Sequence, residues 1–240
     1  MDIQPVWIFR VNDLRALSTE AAVREARTYA EACLHLLAPV RALALYPSDT
    51  DERWQQILES LGIRAFYPPA RFSSPPVFIH TDLSQPVDLE FFTQALTRLR
   101  EKDVDVVYAS RRHPDARFRI EVRHLRYIFS RYRLSKLFNL ILRLTLRVRM
   151  EDTHTPHWVT TDRVLGLEER RSYSLFFLTA IERAIEISRR RLRLSEIPCR
   201  THLLQEKNPL DFFREASELA RCLPRLIRRA RRPERPTPAN

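Results

Sequence analysis

The sequence predicts an α/β fold with a mostly parallel central sheet and helices on both of its faces. Through residues 1–110, short β-prone runs alternate with segments whose apolar residues recur at helical spacing. A helix that carries the chain back between strands makes the next strand parallel to the last, so this alternation favours a parallel sheet. The 240 residues, 44% of them apolar, suffice for a substantial core.

The predicted strands are runs rich in Val, Ile and aromatic residues. They are Val6–Val11, Val40–Leu45, Ile63–Phe66, Val77–Ile79, Val104–Ala109 and, further on, Leu192–Cys199. The predicted helices begin after capping residues or carry an amphipathic pattern. They are Ser18–Leu37, a helix from Ser48 or Asp49 to Gly62, Val87–Lys102, Tyr173–Arg191 and Pro209–Ala230, the last kinked or interrupted at Pro224.

Positive charge is concentrated in two blocks. Residues 111–149 carry a net charge of +10 and residues 221–240 a net charge of +6. The rest of the chain is net negative, so the whole chain carries +11. Residues 120–149 combine arginines with apolar residues at helical spacing, which predicts one or two basic amphipathic helices. A solvated helix face explains this pattern, and so does a helix that lies on an anionic membrane.

Three domain segments are expected. They are a main domain at 1–207 that includes the basic helices 120–149, a helical segment at 208–230 and a disordered tail at 231–240. The three cysteines have no metal-site or redox spacing, and neither a signal peptide nor an apolar spanning segment is recognisable. We therefore expect a cytoplasmic protein.

Two short motifs carry the candidate chemistry. HTDLSQP occupies residues 80–86, directly after an apolar run, and EDTHTP occupies residues 151–156. A carboxylate at the end of a strand reaches the rim of an α/β sheet, where open sheets bind ligands. Asp82 is thus placed for chemistry, although a helix N-cap at Asp82 or Ser84 explains the motif equally well.

In chain order these motifs resemble those of the family 2 glycosyltransferases of the polyprenyl-phosphate (dolichol-phosphate mannose synthase) type. His80 and Asp82 stand where that family has its metal-binding D-x-D, and DTHTPHW at 152–158 resembles its D-x-Q-T-G-F. IFRVND resembles the end of its first strand, Ala109–Arg111 its G-S-R loop, and Lys207 its S-K phosphate contact.

The resemblance implies a GT-A-like fold, a nucleotide-sugar donor and a membrane-borne lipid-phosphate acceptor. The site residues it implies are His80 and Asp82 for a divalent cation (manganese or magnesium), Asp152 for catalysis, and Asn12, Asp13, Arg111 and Lys207 for substrate and nucleotide binding. An imidazole ligand suits manganese better than magnesium. The alternative is a transition-metal site formed by His80, Asp82, Asp152, His154 and His157.

The function expected from the sequence is therefore glycosyl transfer from a nucleotide-sugar to a lipid phosphate, at a membrane that the protein meets through residues 120–149. The first alternative is a degenerate, non-catalytic relative that acts as a binding module on a membrane surface. The second is a nucleic-acid-binding protein, which the arginine blocks allow although no recognised motif accompanies them.

Overall fold

The computed structural model divides the chain into two compact units. The first comprises residues 1–120, 155–166 and 193–205, and the second comprises residues 121–154, 167–192 and 206–240. Within these units the structure describes residues 4–10, 20–36, 41–44, 64–65, 76–83, 86–101, 104–119, 125–153, 155–161, 176–202 and 209–231.

The first unit holds the β-strands. Those among the described residues are β1 (Gln4–Arg10), β2 (Arg41–Ala44), β3 (Arg64–Ala65), β4 (Pro76–Asp82), β5 (Val106–Ser110), β6 (Arg117–Arg119), β7 (Trp158–Thr161), β8 (Leu194–Pro198) and β9 (Arg200–His202). Seven of them form one sheet in the order β3-β2-β1-β4-β7-β5-β8, and β6 pairs with β9 in a small second sheet. Among the described strands of the large sheet, only β7 runs antiparallel, between β4 and β5. The predicted mostly parallel sheet is confirmed.

Two helices, α1 (Glu20–Leu36) and α2 (Glu90–Glu101), pack on one face of this sheet. Small and aromatic residues of the two helices pack against every second residue of the strands, because successive side chains of a strand point to opposite faces of the sheet. Trp7 of β1 lies edge-on against Phe92 of α2, with ring centroids 4.7 Å apart. Residues that alternate with this core, such as Phe78 and Trp158, are also buried. Both faces of the sheet are therefore covered.

The second unit is helical in its described part, with α3 (Leu125–Leu146), α4 (Phe176–Arg189) and α5 (Pro209–Arg231). α5 packs against both α3 and α4. In its described part the basic segment forms one helix. α5 continues through Pro224, so the chain is not interrupted there, and the kink expected as the alternative stays a prediction. Buried Leu219 and Leu226 on either side hold the helix in place despite the missing N–H of proline.

Arginines close two helices where glycine is the usual residue. Arg147, after α3, and Arg191, after α4, have φ values of 53° and 52° in the left-handed region. Leu192 N–H donates to the Ile187 carbonyl oxygen at 3.1 Å, which satisfies the end of α4. The chain has only two glycines, and neither stands at these turns. The left-handed conformation of each arginine therefore costs about 1 kcal/mol.

Some predictions fall outside the described residues, namely the helix ending at Gly62 and the tail beyond Arg231. The domain boundaries at residues 207 and 230 stay a prediction. In the structure, α3, α4 and α5 belong to the same compact unit, and α5 packs against the other two. No helix in the described ranges is both long enough and apolar enough to cross a bilayer.

Candidate active site at the carboxyl edge of the sheet

The candidate site lies where the parallel strands of the large sheet end. β1, β4, β5 and β8 run in one direction, so their last residues share one edge, and the antiparallel β7 begins there. Ligands of open α/β sheets bind at this carboxyl edge, because the loops that leave the strands form a crevice there.

Asp82 is the last residue of β4, and its exposed fraction is 0%. His80 lies two residues earlier on the same strand, so the two side chains share one face of the sheet. His80 is also buried, and its backbone pairs with Trp158 of β7. The structure thus brings together the two residues assigned to the metal. Among the described residues, neither this site nor any other brings three His, Cys, Asp or Glu side chains together in a group that could hold a metal ion.

The helix-cap interpretation of Asp82 is wrong. The helix after β4 begins only at Glu90, and its cap is Asp88, whose Oδ1 accepts the Glu90 N–H at 3.2 Å. The helix was predicted to begin at Val87, three residues before its observed start at Glu90. Asp82 therefore needs an explanation other than capping.

Arg111 follows β5 at the same edge. β7 separates β4 from β5, so two strand spacings of about 4.8 Å lie between these strands. Ser110 Oγ accepts the N–H groups of Arg112 and His113, both at 3.2 Å, which holds the turn that carries Arg111. Arg111 is half-buried. The turn therefore places Arg111 at the same edge of the sheet as Asp82, two strands away.

The loop before β7 is tied to the end of β5. Thr155 Oγ1 donates to the Ala109 carbonyl oxygen at 2.5 Å, and Trp158 Nε1 donates to the Thr155 carbonyl oxygen at 2.6 Å. Ala109 N–H donates to the His157 carbonyl oxygen at 3.1 Å. The threonine of the second motif thus fixes this loop beside the turn that carries Arg111.

A buried chain of hydrogen bonds that sequence reasoning missed lies behind Asp82. Thr81 Oγ1 is 3.1 Å from Tyr29 Oη and 3.2 Å from His157 Nδ1, and Tyr29 Oη accepts the Val87 N–H at 3.3 Å. Burial raises the pKa of Tyr29 well above its ordinary value, and burial also raises the pKa of neighbouring Cys33. Both groups therefore stay protonated. Local sequence carries no signal for a contact between α1, β4 and the loop before β7.

Replacing Thr81 by valine should destabilise the first unit by about 2 kcal/mol, because Tyr29 and His157 each lose a buried hydrogen bond. Urea unfolding followed by tryptophan fluorescence measures this change. Thr81→Ser keeps the hydroxyl and should cost less than half as much. Equal free energies of unfolding for the two variants would contradict the structural importance of this chain.

Asp152 lies in the second unit, where its side chain is buried. The adjacent Thr153 donates twice to Asn139 Oδ1 of α3, from its N–H at 3.2 Å and from its hydroxyl at 2.7 Å. Asn139 Nδ2 in turn donates to the Ser135 carbonyl oxygen at 3.2 Å. α3 thus fixes the backbone beside Asp152. Asn12, Asp13 and Lys207 lie outside the described residues, so their assigned roles stay predictions.

No family model matches the sequence, and no curated protein matches it. Solved structures of glucosyl-3-phosphoglycerate synthase from Mycobacterium tuberculosis do match. One, in complex with Mn²⁺, uridine diphosphate and glucosyl-3-phosphoglycerate, has a TM-score of 0.59 at 14% identity, over 97% of this chain and 81% of that chain. The fold is that of a GT-A glycosyltransferase.

Two further structures of that synthase match over the same shares of the two chains, 97% and 81%. The complex with phosphoglyceric acid has a TM-score of 0.58 at 14% identity. The complex with Mn²⁺, uridine-diphosphate-glucose and glycerol 3-phosphate has a TM-score of 0.56 at 13% identity. The GT-A fold expected from the motifs is thus confirmed, while the dolichol-phosphate mannose synthase type stays a prediction.

Proposed function

We propose that this protein transfers a sugar from a nucleotide-sugar, with a divalent cation, to a phosphate-bearing lipid acceptor at an anionic membrane surface. The observation that carries the proposal is the position of Asp82. It ends the central strand β4 at the ligand-binding edge of a GT-A fold, and another residue, Asp88, caps the helix that follows.

The donor set supports a divalent cation. A carboxylate and an imidazole on one face of β4 suit manganese better than magnesium. Solved neighbours with this fold hold Mn²⁺ together with uridine diphosphate or uridine-diphosphate-glucose. Asp82 and His80 would hold the ion, and the bound ion would neutralise the charge of the diphosphate leaving group.

Two further residues have roles in this proposal. Arg111, at the same edge as Asp82, supplies a guanidinium group that pairs with phosphate oxygens. Asp152 is the residue that the motif resemblance assigns to the reacting phosphates, and its loop is held rigidly by Asn139. A preorganised carboxylate loses little entropy when the acceptor binds.

The membrane part of the proposal is supported by the outer face of α3. Four apolar side chains at helical spacing are exposed there, Leu137 by 54%, Leu140 by 49%, Ile141 by 47% and Leu144 by 73%. The opposite face, with Leu142 and Leu146, is buried. Exposed basic residues share the outer side, namely Arg133, Lys136 and Arg143.

An exposed apolar row beside basic residues is typical of a helix that lies in a membrane interface. The apolar side chains enter the acyl boundary, and the basic side chains meet anionic headgroups. A lipid acceptor would then be delivered to an enzyme that works on the cytoplasmic surface of the membrane.

The function is tested by calorimetry and by transfer assays. Uridine and guanosine diphosphates are titrated with and without Mn²⁺, and labelled nucleotide-sugars are incubated with polyprenyl phosphate in vesicles. Mn²⁺-dependent binding together with a labelled lipid product is the expected result. Binding without any product would indicate a non-catalytic relative, and the absence of binding would contradict the proposal.

The basic side of α3 should be required for binding to anionic vesicles. A variant with four glutamines in this segment replaces Arg126, Arg133, Arg143 and Arg147. Each basic residue contributes about 1 kcal/mol near an anionic surface, so partition should fall on the order of 1000-fold. Cosedimentation with phosphatidylserine vesicles measures it. A matched control changes four arginines of the first unit to glutamine, namely Arg24, Arg27, Arg100 and Arg117. Equal losses in the two variants would mean that net charge alone, and not α3, determines binding.

A further inference from the structure

The C-terminal helix α5 carries a row of arginines that have no role in the proposed glycosyl transfer. Residues 221–231 contain five arginines and no acidic residue. Four of them are spaced by four, three and three residues along the helix and are exposed, namely Arg221, Arg225, Arg228 and Arg231. This spacing keeps them on one side of the helix over a length of about 15 Å. We call these four residues the arginine row.

The fifth arginine, unlike Arg221, Arg228 and Arg231 of the row, forms ion pairs within the part of the fold that the structure describes. Arg229 turns inward, where Nη1 donates to Glu182 Oε1 at 2.5 Å and Nε donates to Glu186 Oε1 at 2.8 Å. Arg221, Arg228 and Arg231 make no ion pair with any described residue. Their charges therefore face solvent uncompensated within the described part of the chain.

We infer that the arginine row is a second membrane contact, which binds anionic lipid headgroups through charge while the apolar row of α3 inserts. This inference rests on the membrane association in the proposed function and deepens it. α5 packs against α3 within the same unit, so the charged row and the exposed leucines belong to one body. Arginine suits this partner because its planar guanidinium forms paired hydrogen bonds with phosphate.

Lipid is favoured over nucleic acid by the residues that accompany the row. Residues 221–231 contain no aromatic ring that could stack on a base and no amide side chain that could read one. Leucine and isoleucine make up four of the five large apolar side chains exposed on α3, and Tyr132 is the fifth. An acyl layer accommodates such side chains, and a polyphosphate backbone does not.

The two contacts should respond differently to salt. Attraction between exposed charges falls within a Debye length, about 10 Å at 0.1 M ionic strength. The contribution of the arginine row should therefore disappear in 1 M salt, whereas insertion of the α3 leucines should persist as weak binding to neutral vesicles.

The test uses the full chain with Arg221, Arg228 and Arg231 changed to glutamine. Partition into phosphatidylserine vesicles at low salt should fall on the order of 100-fold, and partition into neutral phosphatidylcholine vesicles should not change. A matched control with Arg24, Arg27 and Arg100 changed to glutamine should bind as the wild type does. Circular dichroism should show the same overall helix content as the wild type.

Three outcomes would overturn the inference. These are unchanged partition of the triple variant, failure of the wild type to bind anionic vesicles, and a steep, salt-dependent affinity for duplex DNA that the triple variant loses. The last would identify the row as a nucleic-acid surface. Nucleotide and Mn²⁺ titrations of the same variant should match the wild type. A wild type that binds vesicles through the row but binds no nucleotide would contradict the proposed glycosyl transfer and leave this inference intact.

Discussion

Changing Asp82 to asparagine is expected to abolish the Mn²⁺-dependent part of nucleotide-diphosphate binding. The amide has the shape of the carboxylate but lacks its charge, and hard divalent cations depend on that charge for affinity. Any remaining affinity should come from contacts with the base, the sugar and Arg111, and should no longer respond to Mn²⁺. Calorimetric titration of uridine diphosphate with and without Mn²⁺ measures the difference.

Asp88→Asn is the matched control for this experiment. Asp88 lies in the same loop region and makes a capping bond with Glu90 N–H at 3.2 Å. Asparagine caps helices about as well as aspartate, so this variant should bind and fold as the wild type does. If Asp82→Asn keeps full Mn²⁺-dependent binding while its melting temperature is unchanged, Asp82 is not a metal ligand.

Changing Arg229 to leucine should cost the second unit about 3 kcal/mol of stability, because Glu182 and Glu186 would stay buried without this partner, although Arg189 still pairs with Glu186. Glu182 and Glu186 have side-chain exposures of 9% each, and Arg229 bonds to both. The loss should loosen α5 from α4, and it is measured by urea unfolding and by amide hydrogen exchange in α5. Arg228→Leu, one position along the helix and exposed, is the control and should change stability by less than about 0.5 kcal/mol.

The pH dependence of this effect follows from Glu186. Burial opposes its ionisation, but hydrogen bonds and charge from Arg229, with Arg189 in addition, outweigh burial and hold its pKa below the ordinary value of 4.5. A carboxyl whose pKa is lowered by folding stabilises the folded state above its unfolded pKa, and this stability is lost as the pH falls through the folded pKa. The difference between wild type and Arg229→Leu should therefore be large at pH 7 and should shrink below about pH 4.5. A difference that does not depend on pH would mean that packing, not the ion pairs, holds α5.

Local pattern in the sequence was sufficient for most of the architecture. The strands around Val77–Ile79 and Val104–Ala109, the helix of the basic segment and the α/β alternation all appear close to their predicted places. These features are set by the period of apolar residues, which is a property of neighbouring residues in the chain. The expected position of Asp82 at the sheet edge was also correct, because the end of a strand can be read from the end of an apolar run.

Tertiary structure decided the features that depend on distant partners. Three strands, β6, β7 and β9, are only three or four residues long. They form by pairing with other strands, so their own sequences do not predict them. Only the start of α2 at Glu90 showed that Asp82 does not cap the helix that follows β4. The chain from Tyr29 through Thr81 to His157, and the ion pairs of Arg229 with Glu182 and Glu186, join residues 43 to 76 positions apart. Hydrogen bonds and ion pairs of this kind form only when folding brings two distant groups into contact. Neighbouring residues in the sequence therefore do not predict them.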